Sequence, residues 1–453
     1  MTERPEAGDS SRRQRARRLR CCFLTISVDN WFNDLILLAP GLEFAVIDGT
    51  PIGVRTLPNP YRLPVEERFD AALISSEWYK WLSAQGSRRA RKVVDQLRSH
   101  AATVIAVDGC DRFGLAVPPD CIERVDMVLK SQGLYRDRDL YNYRVGPFFP
   151  GVTWTEKRDR RSAVYTDSQL DKLRLSLPCF VHAIPSLRRA VRNSKPDIAR
   201  PLRWMRHAGD AVFNRIWQLR LGTHDTRAAH FVGALTHLQR LDLLLMLEEM
   251  GCSGRWGITR VPDLFLGSRL VIGGADVYSA EDLEESQVRT AGPDEVDSFR
   301  AAIFTIAGEL IGVDPDERQR VVRMLEARGL RTAATSRWTF WRSLAKHALV
   351  IAPTGYGELT FRHGEALMVG RTLLCQDLRH VETMFPFRDR KNVVFCRPDL
   401  RDVPALLREL TADPELCETI AVAGRRAWRS WTQSPDVLLW NGVTRHIIDA
   451  VAA

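Results

Sequence analysis

Short apolar runs alternate with longer amphipathic segments along the first half of the chain. The apolar runs are brief and lack strict alternation, which is typical of strands that are buried on both faces of a parallel sheet. The predicted strands are Cys21–Val28, Phe44–Ile47, Ala71–Ser75, Thr103–Val107 and Val125–Lys130. Between two of them, Ser83–His100 has the apolar spacing of a helix. This strand–helix–strand order predicts a right-handed, doubly wound parallel sheet.

The second half repeats the alternation. Gly251 stands where a helix that ends at Met250 would have its C-cap, and Gly329 ends another predicted helix. The predicted strands are Leu270–Ile272, His347–Ala352, Thr372–Cys375 and Asn392–Cys396. The predicted helices are Arg227–Met250, Glu317–Arg328, Val403–Thr411, Asp413 to about Arg429, and Asp436–Val451. The sequence therefore predicts a second α/β unit.

The length of the chain also favours two units, because 453 residues exceed what one hydrophobic core usually covers. The stretch from about Leu177 to His207 is rich in proline and arginine, and we place the boundary there. We predict a basic tail over 1–20, a first Rossmann-like lobe over 21–180, a second over 181–435, and a last helix over 436–453.

Composition excludes several classes of protein. Hydrophobic residues make up 45% of the chain and charged residues 27%, as in ordinary globular proteins. No apolar run reaches transmembrane length, and Asp29 ends the first apolar run too early for a secretory signal. The nine cysteines form no CxxC and no zinc-like spacing with histidine. We therefore expect a cytoplasmic protein with buried thiols, no metal and no cofactor.

The net charge of +9 favours an anionic partner, such as nucleic acid, anionic lipid or a phosphorylated substrate. The basic clusters lack interleaved aromatics, and no nucleic-acid-binding motif is present, so we expect no specific nucleic-acid partner. Arg12–Arg20 and Arg188–Arg206 are the densest basic stretches. They are candidates for peripheral contact with an anionic membrane, although solubility alone would explain them equally well.

The segment from His347 to Glu382 carries the most informative chemistry. An apolar strand runs into a loop with Gly355, Tyr356 and Gly357, and a helix follows. This order places backbone N–H groups at the positive end of a helix, which suits a diphosphate. A carboxylate further along can accept hydrogen bonds from ribose hydroxyls. The polar side chains in this part of the segment are Glu358, Arg362, His363 and Glu365.

These residues resemble a known family. Glu365–Leu374 (EALMVGRTLL) resembles the donor-site signature of GT-B glycosyltransferases. The preceding PTGYGELTFRHGEA resembles a bacterial branch described as glycosyltransferase family 1-like, or spore-maturation-protein-like. The branch's Gly-x-Gly-Glu loop, Arg and Glu-Ala helix fall on Gly355, Gly357, Glu358, Arg362 and Glu365. The resemblance is clear over roughly 338–430.

The resemblance implies two Rossmann-like lobes, with an acceptor site in the first, a nucleotide-sugar site in the second, and a C-terminal helix that crosses back. It implies transfer of a sugar to a hydroxyl of a glycan, a lipid-linked molecule or a small molecule, without metal. It implies that Glu365 contacts the ribose and that Arg362 is a cation for the diphosphate. Under the same resemblance, Glu358 either contacts the sugar or caps the loop. Many retaining members separate two Glu by seven residues, whereas six separate them here, so the stereochemical outcome stays open.

Several other residues are weaker candidates. Asp108 and Asp111 follow a predicted strand and could supply a general base for the acceptor or a metal-binding acidic pair; an Asx-turn would equally explain them. Lys130, Tyr135 and Arg136 could meet phosphates or an acceptor, or lie in a solvated loop.

The turn before the predicted helix Arg227–Met250 contains Gly222 and Thr223. With Arg227, these residues could approach the diphosphate or form an ordinary helix start. His363 could reach the donor or face solvent. Two other functions remain open, a nucleotide-sugar epimerase of the same fold and a basic nucleic-acid-binding protein.

Overall fold

The structure is a computed structural model of the 453-residue chain. It describes residues 19–25, 42–48, 68–75, 87–109, 115, 117–131, 133–142, 165–176, 225–236, 239–261, 264–266, 271–272, 276–277, 310–312, 315–355, 357–398, 400–433 and 442–452.

Six parallel strands form the sheet of the N-terminal lobe. They are β1 (Leu19–Thr25), β2 (Leu42–Asp48), β3 (Phe69–Ser75), β4 (Ala101–Asp108), β5 (Met127–Lys130) and β7 (Leu173–Leu175), in the spatial order β2-β1-β3-β4-β5-β7. The helices described in this lobe are α1 (Ser87–Arg98), α2 (Pro119–Arg124), a 3₁₀ turn (Arg138–Asn142) and α3 (Asp167–Leu170). Apolar side chains fill both faces of this sheet, as the runs without alternation predict.

A second parallel sheet of five strands forms the C-terminal lobe. Its strands are β8 (Asp225–Ala234), β9 (Gly254–Arg260), β14 (His347–Ala352), β15 (Thr372–Gln376) and β17 (Val394–Cys396), in the order β17-β15-β14-β8-β9. Its helices are α4 (Gln239–Glu249), α5 (Pro315–Ala327), α6 (Arg337–Ala345), α7 (Phe361–Val369), α8 (Val403–Ala412) and α9 (Pro414–Gln433).

Three short antiparallel pairs lie outside the two sheets. The pair β10 (Leu264–Leu266) and β13 (Leu310–Gly312) and the pair β11 (Val271–Ile272) and β12 (Asp276–Val277) are both local to the second half of the chain. The third pair joins β6 (Leu134–Tyr135) to β16 (Val381–Glu382), and so connects the two lobes.

The single helix predicted over Arg227–Met250 is wrong. Its first part is strand β8, which pairs with both β14 and β9, and only Gln239–Glu249 is helical. The first part of the segment, Ala228–Leu235, is a short apolar run interrupted only by His230 and Gly233, and such a run fits a buried strand as well as a buried helix. Strand pairing on both sides of β8 decided between them.

The last helix, α10 (Gly442–Ala452), returns to the N-terminal lobe as predicted. Ile447 is fully buried in the cluster that lies on β1, β3, β4 and β5. Thr103 Oγ1 donates a hydrogen bond to Ala450 O (3.4 Å), and His446 Nε2 lies 3.2 Å from Leu175 O. The predicted start of this helix, Asp436, lies outside the described residues, as does the predicted lobe boundary at 177–207.

The fold class is therefore confirmed. The chain forms two Rossmann-like lobes of the GT-B type, each built on a parallel sheet flanked by helices, and its C-terminal helix crosses back to the first lobe.

Gly254 is needed where β9 meets β8, and its replacement by Ala is expected to destabilise the fold strongly. Its φ is +134°, and an added Cβ would lie 2.0 Å from Ala229 O. We expect Gly254→Ala to lower the free energy of unfolding by about 2–5 kcal/mol, since backbone strain and overpacking add.

Gly251 is the matched control, because its φ is +60° and no atom lies within 4 Å of an added Cβ. Gly251→Ala is expected to lower the free energy of unfolding only by the backbone strain of a positive φ, about 1–2 kcal/mol. Urea unfolding of both variants checks the comparison, and equal losses would contradict the close approach of the two strands.

Candidate functional site

The C-terminal sheet changes direction of winding between β8 and β14. The chain runs from β8 to β9 on one side, and from β14 to β15 and β17 on the other. In an open parallel sheet, ligands bind in the crevice beyond the carboxyl ends of the two strands at such a switch point. The residues just after Ala234 and Ala352 therefore line the expected crevice.

Arg240, in the first turn of α4, fills this position with a buried cation. Its Nε donates to Thr354 O (2.9 Å), Nη1 to Ala234 O (2.7 Å) and Nη2 to Pro353 O (3.4 Å). One guanidinium thus joins the ends of both strands. The three carbonyls are neutral dipoles, and a guanidinium at this position suits recognition of an anion.

Two buried hydroxyls accompany Arg240. The Oγ1 atoms of Thr236 and Thr354 are buried and have no hydrogen-bond partner among the described residues. Both threonines lie next to Gly355, since a Cβ added at Gly355 would be 2.9 Å from Arg240 Nη2 and 3.7 Å from Thr236 Oγ1. A Cβ at this position would have to displace the guanidinium, which three hydrogen bonds hold in place. Buried hydroxyls of native proteins are nearly always satisfied, and a ligand oxygen would satisfy these two.

A second arginine approaches from α7. Arg362 donates from Nη2 to Val232 O and from Nη1 to Glu365 Oε2 (3.4 Å), and its guanidinium lies 4.3 Å from the ring centre of Phe340. A Cβ added at Gly233 would be 3.4 Å from Arg240 Nη1 and 3.9 Å from Arg362 Nη2. The two cations therefore converge on the carboxyl end of β8.

Three backbone N–H groups at the loop before α7 are already engaged in the structure. Thr354 N donates to Gln376 Oε1 (2.7 Å), Gly355 N to Gly357 O (3.1 Å), and Thr360 N to His363 Nδ1 (3.1 Å). These three amides already have protein acceptors, so a ligand there would have to use other donors.

His363 is buried at the start of α7, so the alternative of a solvent-facing position is wrong. Its Nδ1 accepts the hydrogen bond from Thr360 N, which caps the helix. Burial lowers its pKa to about 4, so the ring is neutral at pH 7 and can accept. Gln376, the last residue of β15, also fixes the loop: its Oε1 accepts from Thr354 N, while its Nε2 donates to Gln239 Oε1 (2.8 Å) and Pro398 O (2.6 Å).

Glu365 lies behind the crevice and is only 6% exposed. Its Oε1 accepts from Trp341 Nε1 (3.1 Å), and its Oε2 faces Arg362. Each carboxylate oxygen has a second lone pair, so these contacts leave acceptor capacity for a ligand. The carboxylate is covered because α6 packs on this side of α7 and brings Trp341 over it.

Glu358 belongs to the same loop but faces the other lobe. It is 3% exposed, and its Oε1 is buried without a hydrogen-bond partner among the described residues. Burial raises its pKa to about 7; its own backbone N–H, the Tyr135 hydroxyl and the Lys130 ammonium act in the opposite direction. At neutral pH this carboxyl is therefore present in both its charged and its neutral form, as an acid or base at pH 7 requires.

Asp108 and Lys130 form a buried ion pair at the carboxyl ends of β4 and β5. Lys130 Nζ lies 3.6 Å from Asp108 Oδ1, and the side chains are 1% and 0% exposed, respectively. The interpretation of Lys130 and Tyr135 as part of a solvated loop is wrong, since both are buried. The charge of Asp108 is balanced by Lys130, which makes Glu358 the better candidate for proton transfer.

A bridge between the lobes holds Tyr135 in place. Strand β6 pairs with β16, Arg136 N donates to His380 O (3.0 Å), and Arg138 Nη2 donates to Glu382 Oε1 (3.1 Å). Gly133, just before β6, has φ +91° and packs against Val381, where an added Cβ would be 2.5 Å from Cγ1. The loops at the carboxyl ends of the two sheets thus meet across this interlobe bridge.

Four of the predicted site residues, Asp111, Gly222, Thr223 and Tyr356, lie outside the described residues. Arg227 is the third residue of β8, near its amino end, whereas the other candidates of this lobe lie at or beyond the carboxyl ends. The structure therefore does not bring Arg227 together with the Gly355–Gly357 loop. The basic stretches Arg12–Arg20 and Arg188–Arg206 fall almost wholly outside the described residues.

Two features are absent from the described residues: a cluster of metal ligands and a membrane-spanning helix. No group of three or more His, Cys, Asp or Glu side chains in these parts of the chain could hold a metal ion. In the same parts, no helix combines the length and the apolar character needed to cross a membrane.

Arg240 is the site residue that the sequence interpretation missed. It is a lone cation within a leucine-rich stretch, which is a signal of a special role. A single helix over Arg227–Met250 contains no strand end at Ala234, so the prediction gave no reason to place Arg240 beside a crevice. Once β8 is a strand, Arg240 and Thr236 lie at its carboxyl end.

No protein-family model matches this chain, and no curated protein sequence matches it. Among solved structures, Anabaena HepE in complex with UDP is 9% identical, with a TM-score of 0.43 over 96% of this chain and 100% of that chain. Sucrose-phosphate synthase from Thermosynechococcus elongatus is 10% identical, with a TM-score of 0.45 over the same shares of the two chains. An alpha-glucosyltransferase in complex with UDP and DNA is 9% identical, with a TM-score of 0.41 over 96% of this chain and 100% of that chain. Because these identities and TM-scores are low, the proposal of a function rests on the geometry of the site.

Proposed function

We propose that this chain is a glycosyltransferase that moves a sugar from a nucleotide-sugar donor to a hydroxyl acceptor. The observation that carries the proposal is the set of groups at the switch point of the C-terminal sheet. Arg240 and Arg362 converge there, and the buried hydroxyls of Thr236 and Thr354 have no partner among the described residues. Two cations and two hydroxyl donors beside a glycine loop suit a diphosphate.

The rest of the donor follows from this placement. With the diphosphate between β8 and β14, the nucleoside extends along the crevice and its ribose lies toward α7, where Glu365 is the nearest acid. The sugar then points toward the N-terminal lobe, where Glu358 meets Tyr135 and Lys130. Arg362 contacts Glu365 and also approaches the crevice, so it connects the ribose acid with the diphosphate site.

In the proposed reaction, the acceptor oxygen forms a bond to the anomeric carbon as the bond from that carbon to the diphosphate oxygen breaks. The diphosphate leaves with its bonding electron pair, and Arg240 and Arg362 stabilise its added charge. The acceptor's proton passes to Glu358, which is shielded from bulk water by both lobes. We propose that this transfer needs no metal.

Thr354→Val tests the diphosphate site, because it removes one hydroxyl while keeping the shape of the side chain. We expect the affinity for UDP or GDP, whichever the wild type binds, to fall roughly 10- to 150-fold, since one hydrogen bond to a charged ligand is lost. Isothermal titration calorimetry measures the change. Thr411→Val is the matched control, because Thr411 Oγ1 caps α8 by donating to Leu407 O (2.7 Å), away from the crevice.

Glu365→Gln tests the ribose contact in the same assay. We expect affinity to fall roughly 10- to 150-fold, and the melting temperature also to fall, because the bonds of Trp341 and Arg362 to the carboxylate weaken. A wild type that binds neither nucleotide would overturn the proposed function. Loss of a nucleotide sugar without any acceptor would instead indicate an epimerase or hydrolase.

A further inference from the structure

Helix α6 carries two adjacent aromatic residues, and each of them contacts a charged residue of α7. The guanidinium of Arg362 lies over the ring of Phe340, 4.3 Å from the ring centre. The next residue, Trp341, donates a hydrogen bond from Nε1 to Glu365 Oε1 (3.1 Å). Arg362 and Glu365 are three residues apart and therefore lie on the same side of α7. One helix thus supports both charged groups.

The contact with Phe340 differs in kind from the other contacts of Arg362. Nη2 donates to Val232 O and Nη1 donates to Glu365 Oε2 (3.4 Å), so these two contacts each use an N–H group. A guanidinium has five N–H donors, and an aromatic ring packs against its face without using any of them. The ring therefore holds the cation while leaving its remaining N–H groups for a ligand. The side chain of Arg362 is 17% exposed, so a ligand can reach it.

Phe340 is itself held from the side of the sheet. The ring of His230, on β8, packs edge-on against it, with the ring centres 5.4 Å apart and the planes at 76°. His230 is fully buried and has a second ring contact, with His347 at 5.1 Å. Burial lowers the pKa of His230 to about 2, and the charge of Arg362 acts in the same direction, so the ring is neutral at pH 7. Phe340 thus contacts the sheet through a neutral ring and α7 through a cation.

The helix that carries Phe340 is fixed at both ends. At its start, Ser336 Oγ accepts a hydrogen bond from Thr339 N (3.2 Å), which caps the helix. At its end, Arg371 donates from Nε (2.8 Å) and from Nη2 (2.6 Å) to Ala345 O. The place of the Phe340 ring is therefore set before any ligand binds.

We propose that Phe340 is a positioning residue for Arg362, whose guanidinium it holds at the carboxyl end of β8 for the phosphates of a bound nucleotide. The proposal rests on the proposed function, since it gives Arg362 an anionic ligand. It deepens that function by dividing the work of α6 between its two aromatic residues. Phe340 supports the cation for the phosphates, and Trp341 supports the acid for the ribose.

Phe340→Leu tests the proposal, because leucine keeps an apolar contact and removes the aromatic face. We expect the affinity for UDP or GDP, whichever the wild type binds, to fall about 2- to 30-fold, which is what a contact between a cation and an aromatic face contributes. The affinity for the corresponding nucleoside, uridine or guanosine, should stay unchanged because it has no phosphate. Calorimetry measures the nucleotide, and ligand-observed NMR measures the nucleoside.

Two further variants separate positioning from a structural role. Phe340→Tyr keeps the aromatic face and should retain the wild-type ratio of nucleotide to nucleoside affinity. Trp341→Phe is the matched control on the same helix, since it removes the N–H group that Glu365 accepts. It should lower both affinities by similar factors and leave their ratio unchanged.

Three results would overturn the proposal. They are an unchanged ratio in Phe340→Leu, an equal fall of the ratio in Phe340→Tyr, and an equal fall in Trp341→Phe, which would indicate a general disturbance of α6. If Phe340→Leu does not fold, Phe340→Tyr and Phe340→Met replace it as the pair with and without an aromatic face.

Urea unfolding without ligand distinguishes this proposal from the proposed function. Because Phe340 and Arg362 are in contact, the combined loss of stability in Phe340→Leu/Arg362→Met should be smaller than the sum of the two single losses. Additive losses would show that Phe340 does not hold Arg362. A wild type that binds neither nucleotide, with the losses still non-additive, would count against the proposed function alone.

Discussion

Glu358→Gln is expected to lower turnover about 10²- to 10⁴-fold while nucleotide affinity changes little, because positioned acid–base catalysis contributes about this much. The substitution keeps the size of the side chain and removes its ability to exchange a proton. Glu358 faces Tyr135 and Lys130 rather than the crevice that Arg240 lines, so the diphosphate site should persist. Transfer kinetics and calorimetry on the same preparation measure the two effects.

Glu365→Gln is the comparison variant, because Glu365 lies on the other side of the loop. Its substitution is expected to lower nucleotide affinity rather than turnover in the first place. If Glu358→Gln turned over at the wild-type rate, Glu358 would have no part in proton transfer. If it lost nucleotide affinity as strongly as Glu365→Gln, the two acids would serve one site, and the assignment of Glu358 to the sugar would be wrong.

Lys130→Met is expected to lower the free energy of unfolding by about 3–5 kcal/mol, because it removes the cation that faces a fully buried carboxylate. Methionine fills most of the volume of the lysine stem, so the loss reports charge rather than a cavity. Adding Asp108→Asn to this variant should restore part of the stability, since no charge is then left in the pair. Urea unfolding of the single and double variants measures the coupling.

An exposed ion pair supplies the control. Arg328 Nη1 lies 3.2 Å from Glu248 Oε2, and the two side chains are 45% and 35% exposed, respectively. Arg328→Met should cost less than about 1 kcal/mol, because solvent screens exposed pairs. A loss in Lys130→Met no larger than in Arg328→Met would show that Asp108 does not depend on Lys130, and would return Asp108 to consideration as a base.

The sequence by itself determined the fold class and the location of the donor loop. Apolar runs without alternation are best satisfied by burial on both faces, so most strands of the two sheets were predictable to within a few residues. Strands β7 and β9 were not predicted, and β8 was assigned to a helix. The strand His347–Ala352 was predicted with its observed bounds, since a proline ends it and a glycine loop follows. The return of the last helix followed from the family resemblance rather than from any pattern of residues.

The tertiary structure decided which side chains form the site. Burial of Glu365 depends on Trp341, which is 24 residues away, and Lys130, which helps to lower the pKa of Glu358, belongs to the other lobe. Arg240 acquired its role when β8 became a strand between β9 and β14. A sequence pattern reports the period of burial along one element, whereas these contacts depend on which elements are neighbours in space. Pairing between distant segments sets those neighbours, and with them the charge and the partners of each acid.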